Sequence, residues 1–264
     1  MKVVAQYSDL ASRRVLVTGA SSGIGLGVAE ALLEQGASVA IQFRANRAPA
    51  EALAARFPGR AAVVQADLGD EQGCVDAVRA SATSLGGLDG LVHSAGIWSE
   101  GAIERMTASK LEEIFRVNTF SAFYLVREAL PWLRRRERGR GSIVFVGSTA
   151  GQRGEPGHSH YAASKGALQS LSMSLAVELA PDVRVNLVSP GWVRTPMAEA
   201  ELASDLGRAI EATVPNRRVA DVEDVVHAAL YLSSEASGHL VGEDLCVSGG
   251  ALLVVPRGQV VPRG

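Results

Sequence analysis

The sequence predicts an α/β fold in which helices cover both faces of a doubly wound parallel sheet. Three observations predict it. Short Val/Ile/Leu-rich runs alternate with longer helical stretches along most of the 264-residue chain. The short runs are almost continuously apolar rather than alternating, as strands buried on both faces require. Between the first such run and the first helical stretch lies a glycine-rich segment, VTGASSGIG (17–25).

Taken in order, RVLVTGA (14–20) reads as a strand and GLGVAEALLEQG (25–36) as a helix ended by Gly36. SVAIQF (38–43) is the next strand, PAEALAARF (49–57) a helix, AAVVQADL (61–68) a strand and EQGCVDAVRASATSL (71–85) a helix. LDGLVHSAG (88–96), GSIVFVGS (141–148), VRVNLVSPG (183–191) and EDLCVSGG (243–250) supply further strands. FSAFYLVREALPWL (120–133) and ALQSLSMSLAVELA (167–180) read as long helices, and MAEAELASDLGRAIEATVP (197–215) as a helical excursion off the sheet. The repeated VVPRG at 254–258 and 260–264 is rich in Pro and Gly, which predicts a loose C-terminal tail.

Composition excludes several function classes. Lys plus Arg total 26 against 28 for Asp plus Glu, a balance that argues against nucleic acid as the main partner. The basic run RRRERGR (134–140) follows a helical stretch and reads as a solvated helix end. The two cysteines, Cys74 and Cys246, lie far apart, and His158 and His160 have no third ligand nearby, so no metal site is expected. No apolar stretch approaches membrane-spanning length, and MKVVAQYSDLASRR lacks a leader-like apolar core. The expectation is a soluble, cytoplasmic protein.

Gly19, Gly23 and Gly25 leave the backbone bare where the first strand turns into the first helix. There a pyrophosphate can approach the amide groups of a helix N-terminus. The strand–turn–helix context is the one a dinucleotide requires, and the Gly-Lys-Ser/Thr ending of an ATP-binding loop is missing. The fold is therefore expected to be Rossmann-type. With no linker dividing the chain, residues 1–253 read as one dinucleotide-binding and catalytic domain, and 254–264 as its tail.

HSHYAASKG (158–166) adds a Tyr161–Lys165 pair, which shares one helix face at i, i+4 spacing. A phenol titrates near pH 10, so work as an acid or base at neutral pH needs a nearby cation to lower it. A solvated lysine beside a half-buried tyrosine would show the same spacing. The company the pair keeps decides between them. The turn with spacing TGxxxGxG, AD at 66–67, HSAG (93–96), Asn118, Ser148, YAASK (161–165) and PGWVRT (190–195) follow one another in order. This set resembles the compact, single-domain short-chain dehydrogenase/reductase family, similar to 3-oxoacyl-carrier-protein reductases, over Val15 to about Gly250.

The resemblance implies a catalytic set of Asn118, Ser148, Tyr161 and Lys165. Tyr161 would be the general acid in reduction and the base in oxidation, and Lys165 would lower its pKa and hold the nicotinamide ribose. Ser148 would polarise the substrate oxygen, and Asn118 would hold a water in a proton relay. The cofactor would lie along Gly19, Ser21, Ser22, Gly23, Ile24, Gly25, Asp67, Leu68, Ser94, Ala95, Gly96, Tyr161, Lys165, Pro190, Gly191, Val193 and Thr195. Ser148, His158 and Trp192 are the expected substrate contacts; Trp98 reads equally as pocket wall or core, and His160 could as easily face solvent. Segment 197–215 would form a lid. His93 and Ser94 stand where the family usually has two asparagines, and since both hydrogen-bond, altered bracing rather than lost binding is expected.

Arg44 follows the second strand, nineteen residues beyond Gly25, and no Asp or Glu occurs between Ser38 and Pro49. An acidic residue there would hold the ribose hydroxyls of NAD, whereas an arginine suits the 2′-phosphate of NADP. NADPH is therefore expected as cofactor, with NADH left open. An aspartate in place of Phe43 should turn the preference toward NADH. The expected reaction is reduction of a ketone or 3-oxoacyl group to a secondary alcohol. Two alternatives remain: oxidation of a sugar, steroid or diol alcohol, and a non-catalytic nucleotide-binding sensor. The resemblance, with the sparsely charged helices at 120–133 and 167–180, also implies a homotetramer.

Overall fold

The computed structural model describes residues 5–135 and 139–253, so the repeat-bearing tail and part of the basic run lie outside the described residues. Seven parallel strands form one sheet: β1 (Arg14–Thr18), β2 (Ser38–Phe43), β3 (Ala61–Gln65), β4 (Gly90–His93), β5 (Gly141–Val146), β6 (Val183–Pro190) and β7 (Asp244–Val247). Their order is β3-β2-β1-β4-β5-β6-β7. The chain reverses its direction of growth between β1 and β4, and the crevice outside the strands' carboxyl ends at that point is where ligands bind in open α/β sheets.

The unbroken apolar runs are explained by burial on both faces. On β1, Val15 and Val17 join the core beneath α1 (Gly23–Glu34) and α10 (Val222–Ser233). Leu16 points the other way, into the core beneath α3 (Glu71–Leu85), α5 (Ser121–Leu133) and α7 (Ser159–Leu179). The smaller helices are α2 (Ala48–Arg56), α4 (Ala108–Phe115), α6 (Thr149–Arg153), α8 (Glu199–Leu202) and α9 (Asp205–Thr213). The last two form the excursion anticipated at 197–215. No helix among the described residues is long and apolar enough to cross a membrane.

The two central strands are locked at their amino ends by a buried ion pair. Arg14 donates to Asp89 through Nε (2.8 Å) and Nη2 (2.8 Å), and Asp89 also accepts from the Arg14 amide at 2.9 Å. These paired, charge-assisted bonds hold the Asp89 carboxyl below its ordinary range against the opposing effect of burial.

Several strands stop short of their expected ends. The strand expected over 88–96 ends at His93, because the Ser94 and Ala95 amides turn to the Thr18 hydroxyl, each at 3.1 Å. The one expected to reach 68 ends at Gln65, and Gly69 then donates to the Asp67 side chain at 2.9 Å. The first helix opens at Gly23 rather than Gly25, and Gly23 itself enters it at φ +51°, a conformation that favours glycine.

Candidate active site

A cleft of about 420 Å³ lies across the carboxyl ends of β1, β4, β5 and β6. Gly19, Ser21, Ser22, Gly23, Ile24 and Gly25 line one part of it, with Arg44, Asp67 and Leu68. Ser94, Ala95 and Gly96 line its floor, and Pro190, Gly191, Trp192, Val193 and Thr195 its opposite wall. Ser148, Tyr161, Lys165 and Trp98 complete it. The sequence-predicted residues thus meet in one place, with two exceptions: Asn118 and His158 stand behind the lining.

The turn after β1 is shaped for a ligand with phosphates. Gly19 has φ +63°, and a Cβ there would meet the Ala95 Cα at 2.8 Å, so only glycine lets the two backbones pass. Its amide is held by the buried Gln42 side chain (2.9 Å), which also donates to the Ala66 carbonyl (2.8 Å). Sequence reasoning missed Gln42; the signal was a lone amide in the apolar strand SVAIQF. Ser22 makes no side-chain cap on α1, so the first-turn N–H groups face the cleft without one, as an anion-binding helix start requires. These features fit a dinucleotide. Of the two arginines after β2, Arg47 pairs with Glu51 and Gln65, whereas Arg44 lines the cleft. Phe43 is fully buried, which corrects the idea that an aspartate could stand there: the change would bury a carboxylate in the core.

His93 and Ser94 replace the family's asparagine pair with a different brace. Ser121 Oγ donates to the Val117 carbonyl at 2.7 Å, which leaves it to accept from His93 Nε2 at 3.2 Å. The unprotonated Nδ1 then accepts from Thr18 Oγ1 at 2.9 Å, and Thr18 Oγ1 in turn accepts from the Ser94 and Ala95 amides. One neutral tautomer satisfies the whole chain, which ties β1, β4 and the start of α5 together. Burial, with the Lys165 charge adding to it, pushes the His93 imidazole down to about 3.

Asn118 sits in a π-helical turn, Arg116–Phe120, between α4 and α5. Its Oδ1 accepts from the Ile97 amide (2.8 Å), and its Nδ2 donates to the Ile97 carbonyl (3.0 Å) and to Ser164 Oγ (3.0 Å). Ser164 passes its own proton to the Tyr161 carbonyl at 2.7 Å. Both Asn118 donors are therefore engaged by protein, and the side chain fixes the 94–98 loop to α7 rather than presenting a donor to water.

Ser148 ends the segment after β5 and caps α6, accepting from the Ala150 amide at 3.1 Å. It also lies close enough to the Tyr161 phenol to work against the rise in its pKa. Lys165 is buried, and its Nζ donates to the Val146 carbonyl at 2.9 Å, 6.0 Å from the centre of the Tyr161 ring. Burial brings its ammonium down to about 8. The phenol moves the other way: burial first of all, with Glu155 adding, pushes it up to about 12 against the lowering by Ser148. The expected lowering of Tyr161 by Lys165 is not seen in this geometry, where burial dominates and the ammonium bonds a backbone carbonyl. At neutral pH the tyrosine keeps its proton and the lysine keeps its charge.

The histidines also depart from expectation. His158 stacks on Trp98, ring centres 4.4 Å apart and planes 12° apart, and so stands behind the cleft wall rather than in it. His160, expected as readily in solvent, is buried with Nε2 3.2 Å from Ser99 Oγ.

A family model described as enoyl-(acyl carrier protein) reductase matches residues 19–251. The chain belongs to the short-chain dehydrogenase/reductase family. Among its relatives in that family is nodulation protein G of Rhizobium sp. (strain N33), 34% identical over 248 residues, covering 93% of this chain and 99% of the relative. The acetoacetyl-CoA reductase of Allochromatium vinosum is 34% identical over 251 residues, covering 92% and 99%. Among solved structures, the short-chain dehydrogenase/reductase "SDR:Glucose/ribitol dehydrogenase" from Brucella melitensis superposes with a TM-score of 0.87 at 31% identity, covering 95% of this chain and 100% of that one. The protein is accordingly an NAD(P)-dependent oxidoreductase acting on CH–OH groups.

The neutral His93 brace generates a prediction. Its pKa is depressed on folding, so its contribution to stability is complete above the unfolded value near 6.5 and is lost as pH falls toward about 3. His93→Asn keeps hydrogen-bonding groups but cannot gain a proton. Melting temperatures followed from pH 7 to pH 4 should therefore fall more steeply for wild type than for the variant. Parallel curves would show that His93 does not carry this load.

Proposed function

We propose that this protein uses NADPH to reduce a ketone or 3-oxoacyl group to a secondary alcohol. The observation that carries the reading is that Tyr161, Ser148 and Lys165 line one cleft, with the Lys165 ammonium 6.0 Å from the centre of the Tyr161 ring. A reduced nicotinamide, when bound, supplies the hydride for the carbonyl carbon. Ser148 donates to the carbonyl oxygen and polarises it, and Tyr161 delivers the proton to the same oxygen as charge builds there. The Lys165 cation stabilises that charge at short range, where burial strengthens the attraction.

Arg44 supports NADPH over NADH, since the residue lines the cleft and a guanidinium can donate paired bonds to a 2′-phosphate. Exposed apolar side chains support a homotetramer. Phe120, which ends the π-helical turn, and Phe123 on α5 are 43% and 51% exposed, and Met173 and Val177 on α7 are 51% and 81% exposed. Light scattering at micromolar concentration should give four chain masses, and a monomer would refute the assembly.

The reaction and the cofactor are tested separately. Tyr161→Phe removes one hydroxyl from a packed ring and should lower turnover by roughly 10²–10⁴-fold while NADPH still binds. Near wild-type turnover would remove Tyr161 from the proton's path. Arg44→Ala should weaken NADPH by about 10- to 150-fold, the loss of one charged hydrogen bond, and leave NADH almost unchanged. Equal losses for the two cofactors, or a wild-type preference for NADH, would make Arg44 an ordinary surface charge.

A further inference from the structure

We infer that the substrate end of the cleft is an aromatic slot that selects ring-bearing ketones over straight-chain ones; this rests on the oxidoreductase reading above and narrows its substrate. Trp98 and Trp192 both line the cleft that holds Ser148 and Tyr161. They arrive from different places, Trp98 from the loop after β4 and Trp192 from the turn after β6. Their rings meet edge to face, with centres 6.3 Å apart and planes 75° apart. Two perpendicular indoles form a corner in which one wall offers a ring face and the other a ring edge.

His158 makes that corner directional. Its imidazole covers one face of Trp98 at 4.4 Å, nearly parallel, so that face is closed to a ligand. His158 is itself anchored, with Nδ1 3.1 Å from the Pro156 carbonyl, and it lies three residues before Tyr161 at the start of α7. The stack thereby holds Trp98 in register with the phenol. Asn118 fixes the same loop from the other side through both backbone groups of Ile97.

A slot of this kind discriminates by shape. A flat ring gains offset stacking on an indole beyond its buried area, and it loses no rotors in doing so. A flexible acyl chain gains area alone and loses conformational freedom when it is ordered. The other apolar neighbours in this part of the lining, Ile97 and Met197, add surface without shape.

The test compares 1-tetralone, a flat fused-ring ketone, with ethyl acetoacetate, a straight-chain 3-oxo ester. Wild type should show the higher kcat/KM for 1-tetralone. Trp98→Leu should lower that value about 3- to 10-fold, through KM, and leave ethyl acetoacetate within about twofold; Trp98→Phe should restore it. A wild-type preference for the straight chain, or equal losses on both substrates, would overturn the slot. Calorimetric titration of 1-indanone into protein saturated with NADP+ reads the slot without turnover. If no ketone is reduced but Trp98→Leu weakens 1-indanone by the same factor, the reductase reading fails and the slot stands. No binding, or binding indifferent to Trp98, overturns it.

Discussion

The candidate site depends on one bond, the donation from the Lys165 ammonium to the Val146 carbonyl at the end of β5. It fixes the amino half of α7 over the sheet, and with it Tyr161 one turn earlier. The packing around it is tight. A Cβ on Gly151 of α6 would meet the Lys165 carbonyl carbon and the Gly166 amide at 2.7 Å each, so α6 lies directly against this stretch of α7. Ser148, which caps α6, is thereby held facing the phenol. Geometry that looks like a list of separate motifs is one contact followed outward.

The same burial sets the charges. Among the groups around Tyr161, His93 is buried and neutral, its neutrality enforced by a hydrogen-bond chain that only one tautomer satisfies. The phenol is neutral as well. Lys165 is left carrying the positive charge beneath the reacting position, at a cost in desolvation that brings its pKa down toward the working range. Replacing the family's asparagines by His93 and Ser94 leaves this electrostatic layout intact, because the new brace adds no charge.

Much of this was legible in the sequence. Buried parallel strands read as unbroken apolar runs, so all seven could be located from RVLVT, SVAIQF and their counterparts. The ordered motifs brought together much of the lining of the cleft. What escaped were properties that depend on partners distant in the chain. Strand ends were set by where amides such as those of Ser94 and Ala95 find Thr18, and no local pattern encodes that. That the Asn118 side chain braces the 94–98 loop against α7 through Ile97 and Ser164 could not be read from its position. The i, i+4 spacing gave the Tyr161–Lys165 neighbourhood correctly but not the sign of the phenol's shift, since spacing carries no information on burial. The placements of His158, behind the cleft wall, and His160, buried beside Ser99, escaped for the same reason.

The pH dependence of kcat/KM for ketone reduction tests the central claim most directly, because this ratio reports the ionisations of the free enzyme. Lys165 keeps its charge below about 8 and gives it up above, while Tyr161 stays protonated to about 12. The account therefore predicts a level profile at neutral pH and a single falling limb with its midpoint near 8, as the ammonium beneath the developing oxyanion is lost. A profile that stays level from pH 7 to pH 10, or one that rises through that interval, would contradict it.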